Sequence, residues 1–227
     1  MKPVVRRVLR WTVLRWTVLA VLLVFALGVA LWPDGGRTAP DQAVAGSPAA
    51  RSVDLDQLRA QAALQPCPDP PPVLAPPDGP LSGIVLPCLG APGTVDLGAA
   101  LAGRPALLNL WGPLCQPCAE ELPALAAYGA EPGAVPVLGV EVQRLPEGGL
   151  DLLAALDVHF PSVSDPEGRL RAALGAPAVL PLSFVVSADG RVSQLNPPEV
   201  LRSPEQVRAA VQRYLDPGAT ADPGATG

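Results

Sequence analysis

Apolar positions along the chain fall into two kinds of run. One is long and uninterrupted: Trp16–Trp32 (WTVLAVLLVFALGVALW) has seventeen residues without a charge, and twenty-two when counted from Trp11 across Arg15. A bilayer-crossing helix needs about 20 such residues, so a membrane-spanning helix is expected here. The other runs are short, start beyond residue 80 and alternate in period. Ile84–Leu86 and Thr94–Leu97 read as two short strands joined by a turn. Ala106–Trp111 (ALLNLW) suits a buried strand, and Cys118–Tyr128 carries Leu122, Leu125 and Ala126 on one helical stripe. Val135–Val142 reads as a second buried strand, with Leu150–Leu156 and Glu167–Leu174 as short helices. Leu182–Val186 and Arg191–Leu195, joined by Ser-Ala-Asp-Gly at 187–190, predict a hairpin. Pro204–Leu215 closes as a helix, with Ser203 and Gln206 in capping-box spacing. A β-α-β half with a parallel pair, then a β-β-α half, predicts an α/β sandwich.

The segments between these runs set the organisation. Pro33–Ala50 lacks any apolar period and reads as a linker. Asp54–Leu64 has helical spacing and predicts a short helix starting at Ser52. Pro66–Pro80 holds eight prolines in fifteen residues, which forbids helix and sheet interior alike. DPGAT is written twice near the C-terminus and reads as a disordered tail. The expected organisation is a cytoplasmic tip and signal anchor over 1–32, a flexible linker over 33–52, a compact domain over 53–217 and a tail over 218–227.

Charge sharpens this picture. All of Lys2, Arg6, Arg7, Arg10 and Arg15 precede the apolar run, and no acid does, which places the N-terminus in the cytoplasm and the domain outside. A cleaved signal peptide, cut near Gly28–Ala30, is the rival reading and exports the same domain. The 194 residues after Pro33 carry 11 basic and 21 acidic groups. Such a domain repels phosphate backbones, and no nucleic-acid partner is expected.

Four cysteines carry the chemistry, in two unlike pairs. Cys115-Gln116-Pro117-Cys118 lies between the ALLNLW strand and the next helix. At a helix start the first thiolate meets the positive end of the macrodipole, and the second cysteine, nearly one turn on, can reach back to it. Pro117 is tolerated because first-turn amides lack intrahelical acceptors. Thiolate attack followed by resolution is the chemistry this spacing serves. A structural zinc site needs four ligands, and only His159 and two distant cysteines remain, so no metal is expected. Cys67 and Cys88 are 21 positions apart in an exported chain. They read as a structural disulfide fastening the Pro-rich extension, with an electron relay to Cys115 and Cys118 as the alternative.

Asn109–Leu125 (NLWGPLCQPCAEELPAL), Gly175–Val186 and the Ala188-Asp-Gly-Arg turn together resemble the thioredoxin fold, specifically the membrane-anchored thiol-disulfide oxidoreductases of the TlpA/ResA/DsbE type, over about residues 82–215. The resemblance implies a thioredoxin-like three-layer sandwich, a mixed central sheet with helices on both faces, carrying an N-terminal β-hairpin extension and preceded by one transmembrane helix. It implies that Cys115 and Cys118 form the redox-active pair, with no other cofactor. Pro123 falls where the family kinks its active-site helix. Leu180-Pro181 falls where the family has a cis-proline that faces the disulfide and receives the substrate strand. Asn109 replaces the buried aspartate of thioredoxin, as in the TlpA-like branch, and residues 143–165 match that branch's central insertion. Glu121 matches an acidic position placed near the cysteines, which implies proton transfer or thiol tuning; complementing the helix dipole is the alternative. Leu114 departs from the aromatic residue usual before the first cysteine. Trp111, Gln116, Pro117 and Leu180 complete the expected surroundings of the site. Glu141, a carboxylate in a mostly apolar strand, reads as a polar strand end, with an approach to the site as the alternative, and His159 reads as a loop or core residue.

The function these readings predict is extracytoplasmic reduction of protein disulfides. The substrate class the resemblance implies is apocytochrome c before haem attachment, with a membrane thiol donor of the CcdA type. An exported oxidase of the same fold and a non-catalytic binding or chaperone module are the alternatives.

Overall fold

Every residue of Ala106–Trp111 (β3) is buried, which requires cover on both faces and partners on both edges. The computed structural model, which describes residues 54–71 and 78–215, supplies both. The expected anchor, linker and tail lie outside the described residues. Among the described residues no helix is long and apolar enough to cross a membrane.

β3 pairs in parallel with β4 (Val137–Glu141), and β4 in parallel with β5 (Ser162–Ser164). On its other edge β3 pairs antiparallel with β6 (Leu182–Val186), which forms a hairpin with β7 (Val192–Gln194). The sheet order is therefore β5-β4-β3-β6-β7, a mixed sheet. Alternation along β3 sends Leu107 and Trp111 to one face and Ala106, Leu108 and Leu110 to the other. The first face is covered by Leu122 and Leu125 of α3 (Gln116–Gly129), Leu150 and Leu153 of α4 (Pro146–Ala155), Val207 and Val211 of α6 (Pro204–Leu215), and Ala62 of α1 (Leu55–Ala62). The second is covered by Leu97 and Ala100 of α2 (Leu97–Ala100), Leu170 of α5 (Arg169–Ala173), and the hairpin of β1 (Val85–Pro87) and β2 (Thr94–Asp96). The result is a thioredoxin-like α/β sandwich with helices on both faces.

Several boundaries move for local reasons. α1 starts after Asp54, whose carboxylate accepts from Asp56 N and Gln57 N, so Ser52 is not its cap. β2 stops at Asp96 because that side chain caps α2 by accepting from Ala99 N at 3.0 Å. α4 starts at Pro146 rather than Leu150, since proline suits a first turn and Gly149 packs directly against Glu141 and Trp111. β5 is absent from the sequence reading because its two serines are buried, not exposed, and the apolar alternation that marks a strand is missing. The Asp165 carboxylate, accepting from Arg169 N at 2.8 Å, shortens the expected 167–174 helix to α5.

Gly139, in the middle of β4, lies between Asn109 on β3 and Ser162 on β5. A Cβ there would clash with Ser162 Oγ and come within 2.9 Å of both Phe160 and the Trp111 indole nitrogen. Gly139→Ala is expected to destabilise the domain by about 1–3 kcal/mol. Denaturant unfolding checks this, and an unchanged midpoint would contradict the packing described.

Candidate functional site

The C-terminal end of β3 delivers the chain to the two cysteines. After Trp111 it turns through Gly112-Pro113-Leu114, closed by the Cys115 N–H donating to Gly112 O at 3.1 Å. Cys115 is then the N-cap of α3: its backbone is extended, and its sulfur accepts from Cys118 N at 3.2 Å. The sulfurs of Cys115 and Cys118 are bonded to each other. Cys115 is half-buried and Cys118 fully buried. Gln116 and Pro117 face solvent in the first turn, and Leu114 is 76% exposed. A thiolate released at Cys115 would thus keep an N–H donor and the helix dipole, and would be open to a partner.

Pro181 immediately precedes β6, and the Leu180–Pro181 bond is cis. Pairing of Leu110 with Leu182 brings Pro181 alongside the end of β3, where the cysteine turn departs. Leu180 and Cys115 pack against one apolar cluster, which also contains Trp111 and Cys118. A second cis bond, Asn196–Pro197, was not expected from the sequence.

Glu121, three residues after Cys118, is buried within α3. Asn109 Nδ2 donates to its Oε2 at 2.8 Å and Leu201 N to its Oε1 at 3.1 Å. Asn109 Nδ2 also donates to Ser183 Oγ at 3.0 Å. Burial pushes the Glu121 carboxyl up to about 7, against the pull of the two donors. The carboxylate therefore joins α3, β3 and the chain before α6, and β6 joins through Ser183.

Glu141 is the last residue of β4, a polar strand end as expected, and it is fully buried. It lies across from Trp111, accepts from Gln143 N at 2.6 Å and from Ser164 Oγ at 2.9 Å, and burial raises its carboxyl above the usual range. Gln143 in turn accepts the Leu114 N–H at 3.0 Å through Oε1. Ser183, Leu201 and Gln143 are members of this neighbourhood that sequence reasoning missed. Ser183 was discoverable as a polar residue in an apolar strand, whereas Leu201 acts only through its backbone.

The remaining sequence candidates lie elsewhere. Cys67 and Cys88 are bonded, with Cα atoms 6.2 Å apart. They pack on the opposite face of the sheet from Cys115 and Cys118. His159 ties α1 to the loop after α4, with Nδ1 2.8 Å from Ala62 O and Nε2 2.9 Å from the Asp157 carboxylate. Among the described residues no cluster of three or more His, Cys, Asp or Glu side chains forms a metal site.

Comparison with known proteins supports the resemblance. The AhpC/TSA family profile matches residues 85–195, just under half of the chain. The thiol:disulfide interchange protein DsbE of Xylella fastidiosa is 33% identical over 114 residues, 50% of this chain and 57% of that protein. The thiol-disulfide oxidoreductase ResA of Bacillus thuringiensis is 28% identical over 116 residues, 50% of this chain and 62% of that one. The chain thus spans less than two thirds of the length of either relative. Among solved structures, a secreted disulfide oxidoreductase of Mycobacterium tuberculosis, described as homologous to E. coli DsbE, has a TM-score of 0.52 at 26% identity, covering 60% of this chain and 98% of that one. The domain is thioredoxin-like and similar to thiol-disulfide oxidoreductases of the DsbE and ResA type.

The Glu121 carboxyl supplies a pH signature. Its folded value of about 7 lies above the ordinary 4.5, so the native state holds a proton that the unfolded chain gives up. The stability this confers is complete below about pH 4.5 and is lost as pH rises through about 7, by roughly 3 kcal/mol in total. In Glu121→Gln that dependence disappears. Unfolding of both oxidised proteins at pH 4.5 and pH 8 is expected to show the wild type losing ground to the variant at the higher pH. A constant difference between the two would contradict the assignment.

Proposed function

We propose that this chain is an extracytoplasmic thiol-disulfide oxidoreductase that reduces protein disulfides. The observation that carries this reading is the Cys115–Cys118 bond at the start of α3, with Cys115 half-buried and Cys118 fully buried. In the reduced enzyme the Cys115 thiolate attacks one sulfur of a substrate disulfide and expels the other as a thiolate. Cys118 then attacks Cys115 Sγ, frees the second substrate thiol and leaves the Cys115–Cys118 disulfide. Two electrons from a dithiol donor restore the pair.

Cys118 must lose its proton inside the protein to resolve the mixed disulfide. Glu121, buried on the same helix and titrating at about 7, is the group we assign to accept it, with Asn109 and Ser183 fixing its orientation. Pro181 and Leu180 are assigned to receive the substrate backbone beside the sulfurs, and Trp111 to support the turn from below.

Direction follows from charge. An ionised Glu121 in this low-dielectric surrounding disfavours thiolate, which stabilises the disulfide relative to the dithiol and makes the pair a reductant. The opposite reading, an exported oxidase, is favoured by the Cys118 N–H on Cys115 Sγ, which stabilises the attacking thiolate. The apolar run and its basic flank support a single-pass anchor over 1–32, a linker over 33–52, the catalytic domain over 53–217 and a tail over 218–227. Such a tether places the domain beside membrane-embedded thiol donors of the CcdA type. Apocytochrome c awaiting haem is the substrate class that the resemblance of Asn109–Leu125 to the TlpA/ResA/DsbE type implies. Cys67–Cys88 is assigned a structural role, because the sheet separates it from the other pair.

Cys118→Ser is expected to accumulate mixed disulfides joined through Cys115, whereas Cys115→Ser neither traps partners nor reduces insulin. Mass spectrometry of trapped species from the full chain checks the order of attack. Faster alkylation of Cys118 than of Cys115 in the reduced wild type would reverse it. A wild type with no insulin reduction and no trapped partner would leave a binding module of the same fold.

A further inference from the structure

The turn that presents Cys115 is held by a side chain from the neighbouring strand. Gln143, two residues past the end of β4, accepts the Leu114 N–H through Oε1 at 3.0 Å. Its own backbone is fixed by the Glu141 carboxylate, which accepts from Gln143 N at 2.6 Å and is itself held by Ser164 Oγ at 2.9 Å. A Cβ at Gly112 would lie 2.5 Å from Gln143 Cδ and 2.6 Å from both Cγ and Oε1, so a larger residue there would displace the Gln143 side chain. Gly112 O in turn accepts the Cys115 N–H at 3.1 Å. A continuous path therefore runs from Ser164 through Glu141, Gln143 and Leu114 to Cys115, on the side of the site away from Glu121.

We propose that Gln143 is a positioning residue for the attacking sulfur, with Gly112 shaped to admit it. By pinning the Leu114 amide, Gln143 fixes the turn, and the turn fixes where Cys115 Sγ lies relative to the Cys118 N–H and the start of α3. That placement is what stabilises a thiolate at Cys115. The same bond leaves the Leu114 side chain outward, as the first apolar surface a protein substrate meets. Nothing in the sequence points to Gln143, because it lies 28 positions from Cys115 in a loop. The inference rests on the reading of Cys115 as the attacking thiol, but not on reductase direction or on any substrate.

Two variants test it independently. Gln143→Met keeps the bulk of the side chain and removes the acceptor; Gly112→Ala keeps glutamine and drives it off the Leu114 amide. Neither changes a charge, and Glu141, Asp165, Glu147 and Glu121 stay in place, so any shift reports geometry. The readout is the iodoacetamide alkylation rate of Cys115 against pH in the reduced full chain, resolved by peptide mass spectrometry, alongside thermal unfolding of the oxidised protein. Both variants are expected to move the inflection of the rate profile upward by about one pH unit, a tenfold loss of thiolate at fixed pH. Gln143→Met is expected to do so with its unfolding temperature nearly unchanged. An inflection equal to wild type in Gln143→Met would overturn the proposal, whatever Gly112→Ala does. An insulin-reduction failure of the wild type would count against the proposed function alone, since the alkylation profile needs no substrate.

Discussion

A carboxylate with no access to water is the constraint around which this domain is arranged. Glu121 is held in the interior by an amide from β3 and a backbone N–H from the chain entering α6, and the β3 amide also reaches Ser183 on β6. Four segments far apart in sequence, α3, β3, β6 and the chain entering α6, therefore share one buried polar centre. Removing any one donor would leave a desolvated charge, so their relative positions are strongly specified. The bonded pair Cys115–Cys118 occupies the first turn of the same helix. What holds α3 against the sheet also holds the cysteines at the end of β3.

Two effects of opposite sign then act on the sulfurs. The helix start and the Cys118 N–H favour a thiolate at Cys115, which speeds attack. The buried carboxyl, poised near neutrality, opposes a second negative charge in the interior and offers a place for the Cys118 proton. In the proposed mechanism, attack is thus eased at Cys115, and resolution is coupled to proton movement at the buried Cys118. Glu141 forms a second buried carboxyl on the other flank, bound to Gln143 rather than to the core amide. The second disulfide is separated from all of this by the sheet, among the residues that fasten the hairpin and extension.

Much of this was legible from residues alone. ALLNLW and LSFVV were read at their observed limits, because buried strands write continuous apolar runs. Cys115 and Cys118 were legible because the pair needs a fixed spacing at a helix start. β5 was not, since Ser-Val-Ser buries its hydroxyls against neighbours that only the fold brings there. Glu141 is legible as a polar strand end but its burial is not, because α4 begins early and Gly149 closes over it. Gln143 and Leu201 had no local signature at all. Their parts are played through one amide bond and one backbone N–H across 29 and 80 positions of sequence.

The midpoint potential of the Cys115–Cys118 couple, measured by equilibration with glutathione or dithiothreitol and resolved from Cys67–Cys88 by mass spectrometry, decides which of the two opposing effects prevails. If the buried carboxyl dominates and the protein is a reductase, the value lies below about −200 mV, toward that of thioredoxin. A value near that of DsbA, about −120 mV, together with rapid oxidation of a reduced unfolded protein, would contradict the account and make the domain an oxidant.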